Sequence, residues 1–200
     1  ARSAARSGSI WLGPLNPHVV VEAHATRIDA SNALDFIDRY DIVTDGSDNF
    51  ATRYLVSDAC HFAKKPLVFG AVGPFDGHIT TLKPHETGPD GKPWPSYRCI
   101  FPEAPPPGTV PNCSEVGVLG AVVGVVGTLM ATEILKEITG AGDSLAGRLV
   151  LYDALASRFE SVKIAWDPDN PLSGTNPTIR DLSAHAAGAA MTVCRAAPDA

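Results

Sequence analysis

Basic residues are in the minority in this 200-residue chain: 16 lysines and arginines stand against 22 aspartates and glutamates, for a formal net charge of −6. A nucleic-acid surface would show a clustered basic footprint, so that balance argues against one. Cysteine is sparse too. The four, at positions 60, 99, 113 and 194, lie far apart, and none forms the close pair of a zinc site or a redox dithiol. Free thiols in a reducing, cytoplasmic setting are the reading. The Gly-x-Gly-x-x-Gly fingerprint that a generic Rossmann oxidoreductase places after a strand is absent. A membrane span needs about 20 apolar residues. The longest run without a charge, Val116 to Thr132 between Glu115 and Glu133, falls short and lacks interfacial anchors, which leaves no membrane-spanning segment. The opening Ala-Arg-Ser-Ala-Ala-Arg-Ser has no apolar core of the kind a secretory signal needs. Basic, Ser-rich and acid-free, it could pass for a transit segment, but its Ala/Arg spacing suits the tail of a helix whose start is not in the sequence.

What is present is enough for one domain with a real core, at 44% hydrophobic content. His18 to Ala23 carries three consecutive valines and predicts a buried strand. Asp29 or Ser31 caps a short helix to about Asp38, and a strand ending at Val43 and a helix to about Lys64 follow. Pro66 to Val72 and Gly77 to Leu82 are strand-like, Val116 to Ile134 is a helix rich in glycine and alanine, and Gly147 to Asp153 with Arg158 to Trp166 predict a terminal antiparallel pair. Such alternation implies an α/β, Rossmann-like, mainly parallel sheet with flanking helices. Pro84 to Glu115 holds nine prolines and almost no periodicity, and predicts a long loop. Beyond Asp167 only Thr178 to Ala190 looks helical, in a tail with little visible chemistry.

The junction from Tyr40 to Arg53, Tyr-Asp-Ile-Val-Thr-Asp-Gly-Ser-Asp-Asn-Phe-Ala-Thr-Arg, ends a strand in a carboxylate-rich turn and opens a helix, the place where α/β proteins put ligands. Asp45, Ser47 and Asp48 could each accept from free helix N–H groups, so an acidic N-cap accounts for the same residues without any ligand.

Asp45-Gly46-Ser47-Asp48-Asn49 with Arg53 resembles the Asp-x-x-Asp-Asn-x-x-x-Arg signature of the ThiF/MoeB/HesA family, bacterial relatives of ubiquitin-activating enzymes. Further segments agree in order: Leu15-Asn16-Pro17-His18, Pro66 to Ala71, Phe75-Asp76-Gly77-His78-Ile79-Thr80, Tyr97-Arg98-Cys99, Asn112 to Gly120, and Leu151-Tyr152-Asp153-Ala154. The resemblance implies ATP-dependent adenylylation of the C-terminal Gly-Gly carboxylate of a ubiquitin-like sulfur carrier (ThiS/MoaD type), for sulfur transfer in thiamine or molybdopterin biosynthesis. ATP and Mg²⁺ are the implied cofactors. Asp48 matches the metal-binding aspartate, Asp45 the turn, and Asn49 a position beside the nucleotide. Arg53 could reach phosphate or pair with Asp45 or Asp48. Cys113 matches a cysteine that some members use for a sulfur linkage, and a buried apolar thiol is the alternative. The equivalent of the proline-rich stretch is a crossover loop over the active site. A homodimer is implied for a full-length member.

The family's first strand and Gly-rich phosphate turn would lie upstream of Ala1, and a phosphate-binding lysine is expected where Ala4 stands. Residues 1–168 therefore match a partial adenylylation domain and 169–200 a C-terminal tail, and the 200 residues are expected to be inactive or very weak alone. The rival is a degenerate member that binds the carrier without catalysis. Many relatives hold a structural zinc with two Cys-x-x-Cys pairs. Here Ser96 takes the first cysteine's place beside Cys99, and Asp169-Asn170-Pro171-Leu172-Ser173 occupies the region of the second pair, so no zinc is expected.

Overall fold

The computed structural model describes residues 14–106, 109 and 116–188. In chain order the elements are α1 (Ala33–Ile37), β1 (Val43–Asp45), α2 (Phe50–Phe62), β2 (Leu67–Val72), β3 (Asp76–Leu82), α3 (Tyr97–Ile100), α4 (Gly120–Thr139), β4 (Arg148–Asp153), β5 (Arg158–Lys163) and α5 (Ser183–Gly188). The strands form one sheet in the order β1-β2-β3-β4-β5. β1 and β2 run parallel around the α2 crossover, with Val43 opposite Leu67. From β2 to β5 every pairing is antiparallel. The α/β arrangement with flanking helices is as the alternation implies, but the sheet is mixed where mainly parallel pairing was expected. Between β2 and β3 the reason is local. Only Gly73 to Phe75 connect them, closed by the Gly73 N–H donating to Asp76 O at 2.8 Å, and a parallel return needs a crossover of about a dozen residues or more.

β2 is buried on both faces, and its period-two alternation sorts the layers. Leu67, Phe69 and Ala71 enter a cluster with Ala33 and Ile37 of α1, with Tyr54, Leu55, Val56, Ala59 and Cys60 of α2, and with Tyr97 of α3. The opposite face meets α4. A Cβ on Gly70 would press on the Met130 thioether, and one on Gly77 would lie 2.5 Å from Val126 Cγ2, so the strand glycines set how closely the helix approaches. Glu133, buried on α4, accepts from Thr81 Oγ1 at 2.9 Å and from the Leu145 N–H, and pairs with Lys136; it ties the helix to β3 and to the turn before β4. α4 starts later and runs further than its apolar stretch predicts, stopping at Gly140 (φ 69°), whose N–H donates to Lys136 O at 2.8 Å. No helix among the described residues is long and apolar enough to cross a membrane.

Three local expectations are corrected. His18 to Ala23 is not a strand: Val19, Val20 and Val21 are 55%, 88% and 37% exposed, and no described strand pairs with them. β-branched residues make a strand only where a ladder partner exists, and among the described strands β1 has β2 as its one neighbour. Neither Asp29 nor Ser31 caps α1. Asn32 holds the N-cap position, but its side chain turns back to the Asp29 N–H and the Arg27 carbonyl and does not cap the helix N–H groups, while the Asp29 carboxylate takes the Ser31 N–H (2.9 Å) and hydroxyl (2.6 Å). The proline-rich loop is not featureless, because it contains α3 and a bridge between Thr87 and Pro93.

Trp94, in the same loop, packs against Gly147, which has φ of 76°. A Cβ there would lie 2.8 Å from Trp94 Cζ3. Gly147→Ala therefore combines a left-handed backbone with a steric clash, and should lower stability by roughly 2 kcal/mol in urea unfolding, against a few tenths for a surface change.

Candidate active site

The C-terminal ends of β1 and β2 open into a cleft of about 230 Å³. Gly46, Ser47, Asp48 and Arg53 form one wall, Gly70, Ala71 and Val72 of β2 the floor, and Val123, Val126, Gly127 and Met130 of α4 the other wall. The acidic turn is shaped from within. Asp45 is buried, and its Oδ1 accepts the Ser47 N–H at 2.8 Å, while its Oδ2 and the Ser47 hydroxyl are enclosed without a hydrogen-bond partner. Asn49, not Asp45, Ser47 or Asp48, caps α2: its Oδ1 accepts the Thr52 N–H at 2.9 Å. The carboxylates are thus released from capping. Asp48 is exposed on the rim of the cleft, and among the described residues its carboxylate receives only a 3.5 Å approach from the Asn49 amide.

Arg53 pairs with neither Asp45 nor Asp48. Its Nε and Nη2 both donate to Ser47 O, at 3.0 and 2.9 Å, and the guanidinium lies over the rings of Phe50 (5.2 Å) and Phe69 (5.7 Å). It braces the turn from below and keeps a positive charge on the wall. The structure therefore brings Asp45, Asp48, Asn49 and Arg53 together at one cleft. Cys113 and Ala4 lie outside the described residues.

The sequence reading missed the floor and the far wall. Gly70 was the available signal, since glycine inside an apolar strand marks a close approach. It missed as well the aromatic layer behind the turn. Tyr97 is buried with ring centroids 5.0 Å from Tyr54, Phe69 and Phe101, and burial pushes its phenol up to about 12. The Tyr54 hydroxyl donates to Phe101 O at 2.8 Å and pins the loop after α3. Cys60 is core, as expected, its thiol pushed up by burial.

His78 stands between the rings of Phe69 (5.6 Å) and Phe101 (6.0 Å), with its Nε2 enclosed and unpartnered. Burial first, and the Arg53 charge second, push its imidazole down to about 4 from 6.5. Below pH 6.5 the unfolded chain takes up a proton that the folded chain refuses until about pH 4, so this group's contribution to stability falls across that window and is flat on either side. His61 and His85, lowered chiefly by burial, act in the same direction. His78→Phe should recover about 1–2 kcal/mol of the loss between pH 6.5 and 4, read from urea midpoints at the two pH values.

A sequence model of the ThiF family matches residues 11–172. The chain is 49% identical over 171 residues to the sulfur carrier protein adenylyltransferase of Thermus thermophilus, covering 86% of this chain and 62% of that protein. It is 47% identical to the SAMP-activating enzyme E1 of Haloferax volcanii, over 85% of this chain and 60% of the relative. With the probable adenylyltransferase/sulfurtransferase MoeZ of Mycobacterium tuberculosis it shares 45% identity, over 85% and 43%. It thus spans less than two thirds of the length of these relatives. Among solved structures, Escherichia coli MccB with ATP superposes with a TM-score of 0.66 at 16% identity, over 84% of this chain and 50% of that one, a likeness of fold.

Proposed function

The chain belongs to the ThiF family, and from that membership we propose that it serves the ATP-dependent adenylylation of a ubiquitin-like sulfur carrier protein at its C-terminal Gly-Gly. The names of the relatives support the reaction class, a nucleotidyl transfer. The observation that carries the assignment to this cleft is the turn at the end of β1: Asn49 does the capping, which leaves the Asp48 carboxylate unpaired at the rim. In the proposed step a carboxylate oxygen of the carrier bonds to the α-phosphorus of ATP, and the bond to the β-phosphate breaks to release pyrophosphate.

Such a transfer is mainly positioning and charge neutralisation. The donor set fits a hard cation, since Asp48 offers carboxylate oxygens with no competing ion pair among the described residues. Mg²⁺ held there would supply charge neutralisation at the triphosphate. Asn49 fixes the start of α2 beside the nucleotide, and Asp45 fixes the bend that aims Asp48. Arg53 holds the Ser47 carbonyl and adds positive potential to the wall. The enclosed Asp45 Oδ2 and Ser47 hydroxyl are polar atoms awaiting a partner, which supports a polar ligand at this turn. Cys113 is kept as the sulfur-linking candidate. We keep residues 1–168 as a partial adenylylation domain and 169–200 as a C-terminal tail. Exposed apolar side chains on α4, Val123, Leu135 and Ile138, support the homodimer that the family resemblance implies.

The test is ATP:pyrophosphate exchange with a carrier ending in Gly-Gly. The chain is compared with a form extended upstream to include the family's Gly-rich turn. The expected result is exchange by the extended form that requires the carrier and stops when Mg²⁺ is chelated, with little or none by the 200 residues alone. Carrier binding without exchange by the extended form would instead establish the non-catalytic, carrier-binding reading.

A further inference from the structure

Two four-residue stretches, Ser96-Tyr97-Arg98-Cys99 and Asn170-Pro171-Leu172-Ser173, come from opposite ends of the second half of the chain and meet in the fold. They keep the x-x spacing of paired metal ligands. What occupies their meeting point is the Asn170 amide, 1% exposed. Its Nδ2 donates to Ser96 Oγ at 2.8 Å and to Cys99 Sγ at 3.2 Å, bonds that bridge more than seventy residues of sequence. Its Oδ1 is saturated from the other side, accepting the N–H groups of Leu172 (2.8 Å) and Ser173 (3.0 Å). The orientation of the amide is fixed by these bonds, because two backbone donors can meet only the oxygen.

The chain is wound tightly around this residue. Asn170 O accepts the Gly174 N–H at 2.9 Å, Pro168 O accepts that of Thr175 at 2.8 Å, and Trp166 Nε1 donates to Ser173 O at 2.9 Å. A Cβ on Gly174 would stand 2.6 Å from Pro168 O. On the other side the Ser96 N–H donates to Cys99 Sγ at 3.4 Å, closing a capping box at the start of α3.

This donor set does not fit a zinc ion. One thiol, two hydroxyls and an amide offer a single soft ligand, whereas structural zinc is held by four cysteine or histidine ligands. The amide also presents N–H hydrogens, not a lone pair, to the point where Ser96 and Cys99 converge.

We propose that in this chain a metal-free knot of hydrogen bonds centred on Asn170 does what a zinc ion does in relatives with two Cys-x-x-Cys pairs: it clamps the 166–175 segment onto α3. Through Tyr97 and Arg98 on the same short helix, the clamp reaches the aromatic layer behind the cleft and the α2 carboxylate Asp58. The Asn170 amide has both its donors and its acceptor engaged, while the Ser173 hydroxyl beside it is enclosed without a partner. A buried amide satisfied in this way makes the contact specific, and its loss leaves Ser96, Cys99 and two backbone N–H groups without that partner.

The experiment is metal analysis and thermal melting of the purified protein, produced in zinc-supplemented medium, with and without a strong chelator. Zinc well below one per chain and a midpoint unmoved by chelation are expected; stoichiometric zinc whose removal lowers the midpoint overturns the proposal. Asn170→Asp keeps the acceptor for Leu172 and Ser173 but replaces the donor with a carboxylate oxygen facing Ser96 and Cys99. It should melt roughly 5–10 °C lower, and melting as the parent overturns the proposal. The variant carrying Ser96→Cys, Asn170→Cys and Ser173→Cys should take up one zinc per chain and become chelator-sensitive. Failure to bind zinc would show that the knot does not occupy the metal's position.

Discussion

Asp48→Asn, made in the form extended upstream through the family's Gly-rich turn, will lose at least about 100-fold in carrier-dependent ATP:pyrophosphate exchange, the scale seen when one pre-placed charge-stabilising group is removed from a transfer site. Its melting midpoint will stay within about 2 °C of the parent, because an exposed side chain held among the described residues by no more than a 3.5 Å approach contributes little to folding. The two readouts separate because the turn divides its labour. Asn49 caps α2 and Asp45 holds the Ser47 N–H, so Asp48 is free of both tasks. Asn49→Ala reverses the pattern: it removes the cap and should cost about 1 kcal/mol of stability. Were Asp48→Asn to exchange pyrophosphate at the parental rate, the metal-binding role would fall, and with it the placement of the reaction in this cleft. A stability loss as large as that expected for Asn49→Ala would show that the carboxylate is a structural cap after all.

The order of elements was legible because it rests on local signals. The runs Pro66 to Val72 and Gly77 to Leu82 and the pair after Gly147 became β2 to β5 with boundaries shifted by a few residues. The ligand end of the sheet was legible for a different reason: a strand of three residues stopped by Asp45-Gly46-Ser47-Asp48 has little alternative to a turn. What could not be read is what depends on neighbours distant in sequence. The valines of His18 to Ala23 carry strand propensity, but propensity does not supply a ladder partner. Three side chains near the turn looked equally able to cap α2, and the choice of Asn49 was decided by backbone geometry, its φ and ψ of −135° and 142° aiming Oδ1 at the Thr52 N–H. Arg53 looked able either to reach phosphate or to pair with Asp45 or Asp48; the rings of Phe50 and Phe69, one of them on β2, hold it over the Ser47 carbonyl and away from both carboxylates. The tail appeared poor in chemistry because the partners that join Asn170 and His185 to the rest of the fold are distant in sequence: Ser96 and Cys99 for the Asn170 amide nitrogen, and Asp58 for His185.

Asp58 carries the largest stability effect expected here. Its carboxylate is fully buried on α2 and receives Arg98 from α3 in a two-pronged pair, Nε to Oδ1 at 3.0 Å and Nη2 to Oδ2 at 2.7 Å. His185 Nε2 of α5 lies 2.8 Å from Oδ2, and the Arg98 guanidinium covers the Tyr54 ring at 4.9 Å. Three helices therefore converge on one charge. Asp58→Ala leaves the Arg98 cation, itself only 13% exposed, without its counter-charge. Breaking a buried pair from one side costs about 3–5 kcal/mol, which for a domain of this size means a midpoint lower by roughly 10 °C. The pair as a whole is worth much less than that, since both charges lost solvation to form it. Removing them together in Asp58→Leu with Arg98→Met should accordingly restore more than half of the loss, a coupling that thermal melts of the two single variants and the double variant would measure. His185→Ala should cost nearer 1 kcal/mol, because Arg98 still neutralises the carboxylate. If Asp58→Ala melted within about 2 °C of the parent, the convergence of α2, α3 and α5 on this carboxylate would not be what holds the C-terminal segment down.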